Sequence, residues 1–146
     1  MFQQNIYVTV DAVVFGYINE QLHLLLIKRG NDPFKDMWAL PGGFVEYNED
    51  LEPAALRELH EETNIQLQQM QQLFTVGTPG RDPRMRSVSI IYTAQTDPAQ
   101  HTVKGGDDAK EARWWGVENL PLLAFDHKDV IEYALKHRLS INSPIR

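Results

Sequence analysis

The sequence predicts one α/β domain in which helices cover a mixed β-sheet, and three observations support this fold class. The chain has 146 residues, of which 42% are hydrophobic, and this is enough for one core. Several short apolar runs alternate or cluster as strands do, and two stretches carry apolar residues at helical spacing. No internal repeat, low-complexity tract or linker divides the chain, so we assign residues 1–146 to a single domain.

The predicted strands are short and are separated by polar turns. The first two are joined by a turn that contains Asn19 and Glu20, and this arrangement indicates a β-hairpin. Asp11 is a charged residue within the otherwise mainly apolar first strand, and we expect it to be a hydrogen-bonded polar residue at the sheet surface. In chain order we predict strands or strand-like runs at residues 6–15, 22–29, 38–45, 67–76, 87–96 and 112–117.

Two helices are predicted. The first covers residues 50–63, where Leu51, Ala55 and Leu59 recur four apart, and Asn48 or Asp50 is its candidate N-cap. The second covers roughly residues 127–137 after Asp126, which is a candidate N-cap in its turn. Residues 140–146 are expected to fray.

Composition excludes several classes of function. The formal net charge is −6 and no basic stripe is evident, so we expect no nucleic-acid partner. The chain contains no cysteine, which excludes disulfides, thiolate metal sites and cysteine nucleophiles. No signal peptide is evident and no apolar run is long enough to span a bilayer, so we expect a cytoplasmic protein with no membrane partner.

The first predicted helix carries three carboxylates on one face. Glu58, Glu61 and Glu62 stand at i, i+3 and i+4, so their side chains project from one side. Like charges this close are mildly unfavourable, which suggests a cation there, and oxygen ligands suit Mg²⁺ when a phosphate shares the site. By themselves the three residues also fit an ordinary solvated acidic face.

The surrounding sequence decides between these two interpretations. Upstream lies LPGGFVEYNE, and the full spacing is Gly43, five residues, Glu49, seven residues, then RELHEETNI from Arg57 to Ile65. This pattern resembles the Nudix box of the Nudix hydrolase family. Beyond the box, the runs VTVDAVVF, LLIKRG, WALPGGFVE, GRDPR and LAFDH are similar to the ADP-ribose pyrophosphatase-like subgroup, so the resemblance covers about Tyr7 to Leu139.

The resemblance implies a Nudix-type α/β/α sandwich and a Mg²⁺-dependent activity, with Mn²⁺ as an alternative ion. The implied reaction is hydrolysis of the pyrophosphate bond of a nucleoside diphosphate derivative, with ADP-ribose giving AMP and ribose 5-phosphate as the favoured case. The expected partners are a small nucleotide substrate and a second copy of the chain in a homodimer. The implied metal ligands are the Gly42 carbonyl and the carboxylates of Glu58, Glu61 and Glu62.

Other roles are implied by the resemblance with less detail. Arg57 is expected to pair with Glu49 and to brace the turn around Gly42 and Gly43, here called the glycine turn, against the helix. The water-activating base is left open among Glu58, Glu61, Asp107, Asp108 and Glu111, and among the loop acids we favour Glu111.

Candidate substrate-binding residues lie outside the box. Arginine binds phosphate through two hydrogen bonds, which makes the charged turn at residues 77–86 (GTPGRDPRMR) a candidate phosphate site. The alternative is that these side chains are solvated at a hairpin tip. Phe34 is a candidate for base stacking, and His127 a candidate for ligand contact, with Asp126 in a capping role. The basic candidates are Arg29, Lys35, Arg81, Arg84 and Arg86.

Two departures and two alternative functions complete the prediction. The box normally has glycine at Asn64, and similar loops often have glycine at Asp36; asparagine is the next most tolerant residue for a left-handed helix end. The alternatives are another Nudix substrate (an oxidised nucleoside triphosphate, NADH or a dinucleoside polyphosphate) and a ligand sensor that controls transcription. Intact box carboxylates and the expected lack of an appended DNA-binding domain argue against the sensor.

Overall fold

The protein is a three-layer sandwich with one mixed sheet between two helices. The computed structural model describes residues 3–142, with side chains for residues 3–138. The strands are β1 (Ile6–Ile18), β2 (Gln21–Arg29), β3 (Trp38–Ala39), β4 (Gly42–Phe44), β5 (Gln71–Val76), β6 (Arg86–Gln95) and β7 (Ala109–Gly116). The helices are α1 (Leu51–Thr63) and α2 (His127–Asn142).

The seven strands of the described chain form one sheet. Its main path runs β3-β2-β1-β6-β5, while β4 pairs with β1 and β7 pairs with β2. β1 and β6 are parallel over ten register positions, and the other pairs are antiparallel. The predicted hairpin is confirmed, with Asn19 and Glu20 both at positive φ in its turn.

Each face of the sheet has its own apolar core. Ala54, Ala55 and Leu59 of α1 pack against one set of strand residues, which includes Val10 and Ala12. The opposite face takes α2, whose buried residues are Val130, Ile131 and Ala134. Alternate residues of β1 therefore face different helices, as the period of two in a strand requires. This confirms the predicted α/β/α sandwich with a mixed sheet.

Several boundaries differ from the prediction. The strand predicted at residues 67–76 begins only at Gln71, because Leu67 and Met70 enter the core from a loop, where the Met70 amide bonds to Glu52 at 2.9 Å. Helix α2 continues to Asn142, beyond the predicted end, and the part of the predicted frayed tail at residues 143–146 lies outside the described residues. Within residues 3–142, no helix is long and apolar enough to cross a membrane.

Helix α1 begins and ends as its sequence predicts. Of the two candidate caps, Asp50 is the one used, and its carboxylate accepts the Leu51 amide at 2.7 Å. At the other end Asn64 is left-handed, with φ 69°, and its amide bonds to the His60 carbonyl. The Asn64 side chain also donates to the Thr102 carbonyl at 2.8 Å, a contact that glycine cannot make. Asp36 is left-handed too, with φ 70°, which explains the preference for glycine there.

Candidate active site

A cleft of about 430 Å³ opens where β1, the glycine turn and the two helices meet. Its volume suits a small ligand. Carboxylates outnumber arginines by eight to four among its lining residues, so an anionic ligand needs additional positive charge to bind there. The residues that line the cleft include Asp11, Arg29, Gly42, Gly43, Arg57, Glu58, Glu62, Arg81, Arg84, Ser87, Ser89, Asp107, Asp108, Phe125 and His127.

The glycine turn brings backbone against the carboxylates. Gly43 pairs with Val10, and a Cβ at Gly43 would lie only 2.6 Å from the Glu58 carboxyl carbon. A Cβ at Gly42 would collide with the Val10 carbonyl and with Asp11. Gly42 therefore needs to be glycine for the close approach of backbone to backbone, whereas a side chain at Gly43 would displace the Glu58 carboxylate.

Arg57 organises the carboxylates of α1 in what we call the Arg57 cluster, which comprises Glu49, Arg57, Glu58 and Glu61. The guanidinium donates to Glu49 at 2.6 and 2.8 Å, to Glu58 at 2.8 Å and to Glu61 at 2.7 Å. It also donates to the Phe44 carbonyl at 3.1 Å, so it connects the glycine turn with the helix. The predicted contact between Arg57 and Glu49 is thus present.

Glu62 points away from this cluster and toward the turn. Its Oε1 accepts the Gly42 amide at 2.8 Å. Burial raises the pKa of Glu62 to about 8, and the Gly42 amide only partly offsets this effect. Burial also raises the pKa of Glu58, against the opposing influence of Arg57. A cation beside these buried carboxylates would favour their charged forms.

These residues fit a hard divalent cation. The donor set is composed only of oxygens, the two carboxylates of Glu58 and Glu62 are largely desolvated, and the Gly42 carbonyl belongs to the same turn. Among the side chains of residues 3–138, no three acidic or histidine groups already converge as a metal site. Arg57 draws Glu58 and Glu61 to itself instead, while Glu62 engages the turn.

A second polar group lies on the α2 side of the cleft, and we call it the Arg81 cluster. It comprises Arg81, Ser87, Ser89 and Asp126. Arg81 donates two hydrogen bonds to Asp126, at 2.8 and 2.9 Å, and two more to the hydroxyls of Ser89 and Ser87, at 2.6 and 3.3 Å. Arg81 lines the cleft but is engaged with these acceptors, and its phosphate role stays a prediction.

Asp11 and His127 are buried beside this cluster. Burial raises the pKa of Asp11 and lowers that of His127, although each partly offsets the shift of the other. The predicted sheet-surface position of Asp11 is wrong, since it is 8% exposed at the floor of the cleft. The Asp126 carboxylate engages Arg81, and its backbone carbonyl accepts the Asp129 and Val130 amides at the start of α2.

The other predicted substrate-binding residues divide into two groups. Arg29 and Arg84 line the cleft beside Phe125, with guanidinium carbons 4.9 and 5.8 Å from its ring centre. The other three predicted residues do not line the cleft. Lys35 is exposed on its loop, Arg86 bonds to the Gly77 carbonyl at 2.6 Å, and Phe34 packs edge-on against Phe125.

The loop acids are also divided. Asp107 and Asp108 line the cleft, whereas Glu111 does not. Glu111 belongs to β7, where it pairs with Lys28 and is exposed. The preference for Glu111 as the loop contributor is therefore replaced by Asp107 and Asp108, which sequence order alone did not favour.

Comparison with known proteins agrees with this geometry. A family model described as NUDIX domain matches residues 8–134. The chain is 43% identical over 127 residues to an ADP-ribose pyrophosphatase of Methanocaldococcus jannaschii, a match that covers 87% of this chain and 74% of that protein. It is 38% identical over 136 residues to the ADPR responsive transcriptional repressor NtrR of Acinetobacter baylyi, where it covers 86% of this chain and about half, 52%, of the repressor.

Solved structures show the same relationship. The NUDIX domain of Shewanella oneidensis NrtR complexed with ADP ribose superposes with a TM-score of 0.87 at 37% identity, covering 93% of this chain and 90% of that one. NrtR complexed with a 27mer DNA superposes with a TM-score of 0.75 at 37% identity, and this match covers 91% of the present chain and 62% of NrtR. The chain therefore belongs to the Nudix family of pyrophosphohydrolases and, within it, is similar to ADP-ribose pyrophosphatases.

Proposed function

We propose that this protein hydrolyses the pyrophosphate bond of ADP-ribose, giving AMP and ribose 5-phosphate, with Mg²⁺ or Mn²⁺ as the required ion. One observation carries the proposal. The buried carboxylates of Glu58 and Glu62 meet the glycine turn at the edge of a cleft large enough for a nucleotide. The identity to an ADP-ribose pyrophosphatase supports the choice of substrate.

In this proposal the chain positions the reacting groups and supplies negative charge for the ion. Glu58, Glu61, Glu62 and the Gly42 carbonyl are the proposed ligands. When bound, divalent ions neutralise the pyrophosphate and lower the pKa of a bound water. Arg57 holds Glu58 and Glu61 in place through its hydrogen bonds, and Glu49 in turn orients Arg57.

Proton removal from the attacking water is assigned to a carboxylate at the cleft. Glu58 remains a candidate because it is buried against the glycine turn. Asp107 and Asp108 are loop candidates because they line the cleft. A general base must come within hydrogen-bonding reach of the water. We therefore prefer the acids that line the cleft over Glu111, which lies on β7 outside the lining residues.

A sensor is the second candidate function, since the chain is similar to an ADPR responsive repressor and to a NUDIX domain complexed with ADP ribose. The two functions differ in turnover, because a sensor binds ADP-ribose without cleaving it at a comparable rate. The predicted homodimer, the cytoplasmic location and the lack of a nucleic-acid partner remain predictions of the sequence.

A substrate panel separates the candidates. Purified protein is incubated with ADP-ribose, NADH, a dinucleoside polyphosphate or an oxidised nucleoside triphosphate, with Mg²⁺ and separately with Mn²⁺, and the products are read by mass spectrometry. We expect AMP from ADP-ribose and its loss in Glu61→Gln. Binding of ADP-ribose by calorimetry without product formation would favour the sensor instead.

A further inference from the structure

The turn that carries Gly42 is held from both sides of the sheet. From the α1 side, Glu62 accepts the Gly42 amide at 2.8 Å. From the α2 side, His127 Nδ1 accepts the Leu40 amide at 3.0 Å. Between them the Pro41 carbonyl accepts the Ala12 amide of β1 at 2.8 Å. Three consecutive residues of the turn are thus fixed by three different elements.

We propose that His127 is a positioning residue which fixes the glycine turn from the α2 side and so aligns the Gly42 carbonyl with the carboxylates of α1. The effect on turnover rests on the proposed function, whereas the effect on the turn does not. His127 is the first residue of α2, and its own amide bonds to the Ala124 carbonyl at 3.2 Å, so the ring is attached to a rigid element.

The geometry fixes the chemical form of the ring. Because Nδ1 accepts a hydrogen bond from the Leu40 amide, it carries no proton itself, and the ring proton lies on Nε2. Nε2 is 4.0 Å from Asp11 Oδ1, so the protonated side of the ring faces that carboxyl group. Side chains from the packed elements that also face this region are Arg29, Arg81 and Asp126.

The Leu40 amide that donates to His127 belongs to a buried residue. Leu40 is 2% exposed and His127 is 5% exposed, so loss of the imidazole acceptor leaves a buried N–H group without a partner. Such a group is costly enough to move the segment that carries it. A displacement of about 1 Å at a site that aligns reacting groups can reduce turnover by up to about a hundredfold.

The position of the acceptor distinguishes this role from ligand contact or simple core filling. Asparagine places Oδ1 near the position of histidine Nδ1, whereas glutamine places its amide near the position of Nε2. If His127 acts through Leu40, asparagine substitutes for it and glutamine does not. If His127 instead contacts the ligand through Nε2, glutamine is the better replacement and KM is the parameter that changes.

The test compares His127→Asn, His127→Gln and His127→Leu with the wild type. The Leu40 amide hydrogen-exchange rate is measured by NMR, and kcat and KM are measured with ADP-ribose and Mg²⁺. In His127→Leu and His127→Gln we expect the Leu40 amide to exchange at least about tenfold faster. We expect kcat to fall by about 10- to 100-fold in those variants, with KM nearly unchanged. His127→Asn should keep both values within about threefold of wild type.

Val130→Ala is the matched control, because Val130 is also a buried residue of α2 but packs only in an apolar core cluster. It should lower the melting temperature while kcat stays within about twofold. Equal losses in the asparagine and glutamine variants, or a Leu40 amide that stays protected in His127→Gln, would overturn the proposal. These two variants decide the matter even if His127→Leu does not fold. Wild type that leaves ADP-ribose intact would contradict the proposed function, while Leu40 exchange would still test the role of His127.

Discussion

The Arg57 and Arg81 clusters both use one arginine to hold several acceptors, but they differ in sequence distance and in the burial of the arginine itself. The carboxylate partners of Arg57 are eight, one and four residues away, and its side chain is 26% exposed. The carboxylate partner of Arg81 is 45 residues away, and the Arg81 side chain is 7% exposed. One cluster is therefore built within a single motif, while the other joins the charged turn to the start of α2.

This difference indicates a division of labour. An ion pair that keeps access to water contributes little to stability, so the Arg57 cluster mainly arranges carboxylates. Removing a nearly buried arginine leaves its carboxylate partner, here Asp126 at 20% exposure, without a counter-charge, so the Arg81 cluster mainly holds the fold around the cleft. The following predictions test this division, beginning with the largest expected effect.

Arg81→Met should lower the free energy of unfolding by about 3–5 kcal/mol, because Asp126 is left as an unpaired carboxylate beside a buried ring. The free energy is measured by urea denaturation monitored by circular dichroism. Arg81→Lys is the control, since lysine keeps the charge but lacks the two-pronged geometry, and its loss should be intermediate. A loss below about 1 kcal/mol in Arg81→Met would remove the contrast between the clusters.

Arg57→Met should have the opposite profile. We expect kcat/KM for ADP-ribose to fall by about 10- to 100-fold, because Glu58 and Glu61 lose the group that orients them. The loss of stability should be only about 1 kcal/mol, because the side chain is partly solvated. Arg113→Met, on an exposed position of β7, serves as the control for loss of one arginine. Unchanged turnover in Arg57→Met would show that the carboxylates need no support from it.

Asn64→Ala tests the hydrogen bond from the Asn64 side chain to the Thr102 carbonyl, which joins the end of helix α1 to a distant loop. Alanine is disfavoured at φ 69° and cannot bond to the Thr102 carbonyl, so we expect a loss of about 2 kcal/mol. Asn64→Gly keeps the favourable backbone and loses only the side-chain bond, so its loss should be about 1 kcal/mol or less. Thermal unfolding of both variants measures the two contributions separately. Equal melting temperatures for them would mean that the backbone conformation contributes nothing.

Glu49→Gln should have the smallest effect, and one that depends on pH. The hydrogen bonds from Arg57 hold the pKa of Glu49 below its ordinary value. Its stabilisation is therefore full above the unfolded pKa and is lost as pH falls through the lower folded pKa. We expect a difference from wild type of up to about 1 kcal/mol near pH 7 that disappears under acid conditions. A difference independent of pH would exclude an ionic origin.

The contrast between the clusters also explains what the sequence could predict. Glu58, Glu61 and Glu62 are local, so helical spacing alone places them on one face and the glycine pair marks the adjacent turn. The first hairpin and the α/β sandwich followed from the alternation in β1 and from the apolar stripes of the helices. These features depend on neighbours within a few residues.

The remaining features depend on distant contacts. Arg81 was interpreted as a phosphate ligand because its turn is charged, and nothing near it in sequence indicates Asp126 as its partner. Asp11 was expected at the sheet surface, since an isolated acid in a strand does not show that a cleft lies above it. Glu111 was favoured over Asp107 and Asp108 because it directly precedes the predicted strand at residues 112–117. The observed strand β7 already begins at Ala109, so Glu111 lies within it and outside the cleft lining.

The central claim is that a carboxylate beside the glycine turn supports hydrolysis of ADP-ribose. Glu62→Gln tests it most directly, because the glutamine oxygen can still accept the Gly42 amide while the charge is removed. Mg²⁺-dependent release of AMP is measured for this variant, for wild type and for Glu132→Gln, an exposed glutamate on α2. We predict at least about a hundredfold lower kcat in Glu62→Gln alone, with an unchanged fold by circular dichroism. Turnover by Glu62→Gln at the wild-type rate would contradict the account.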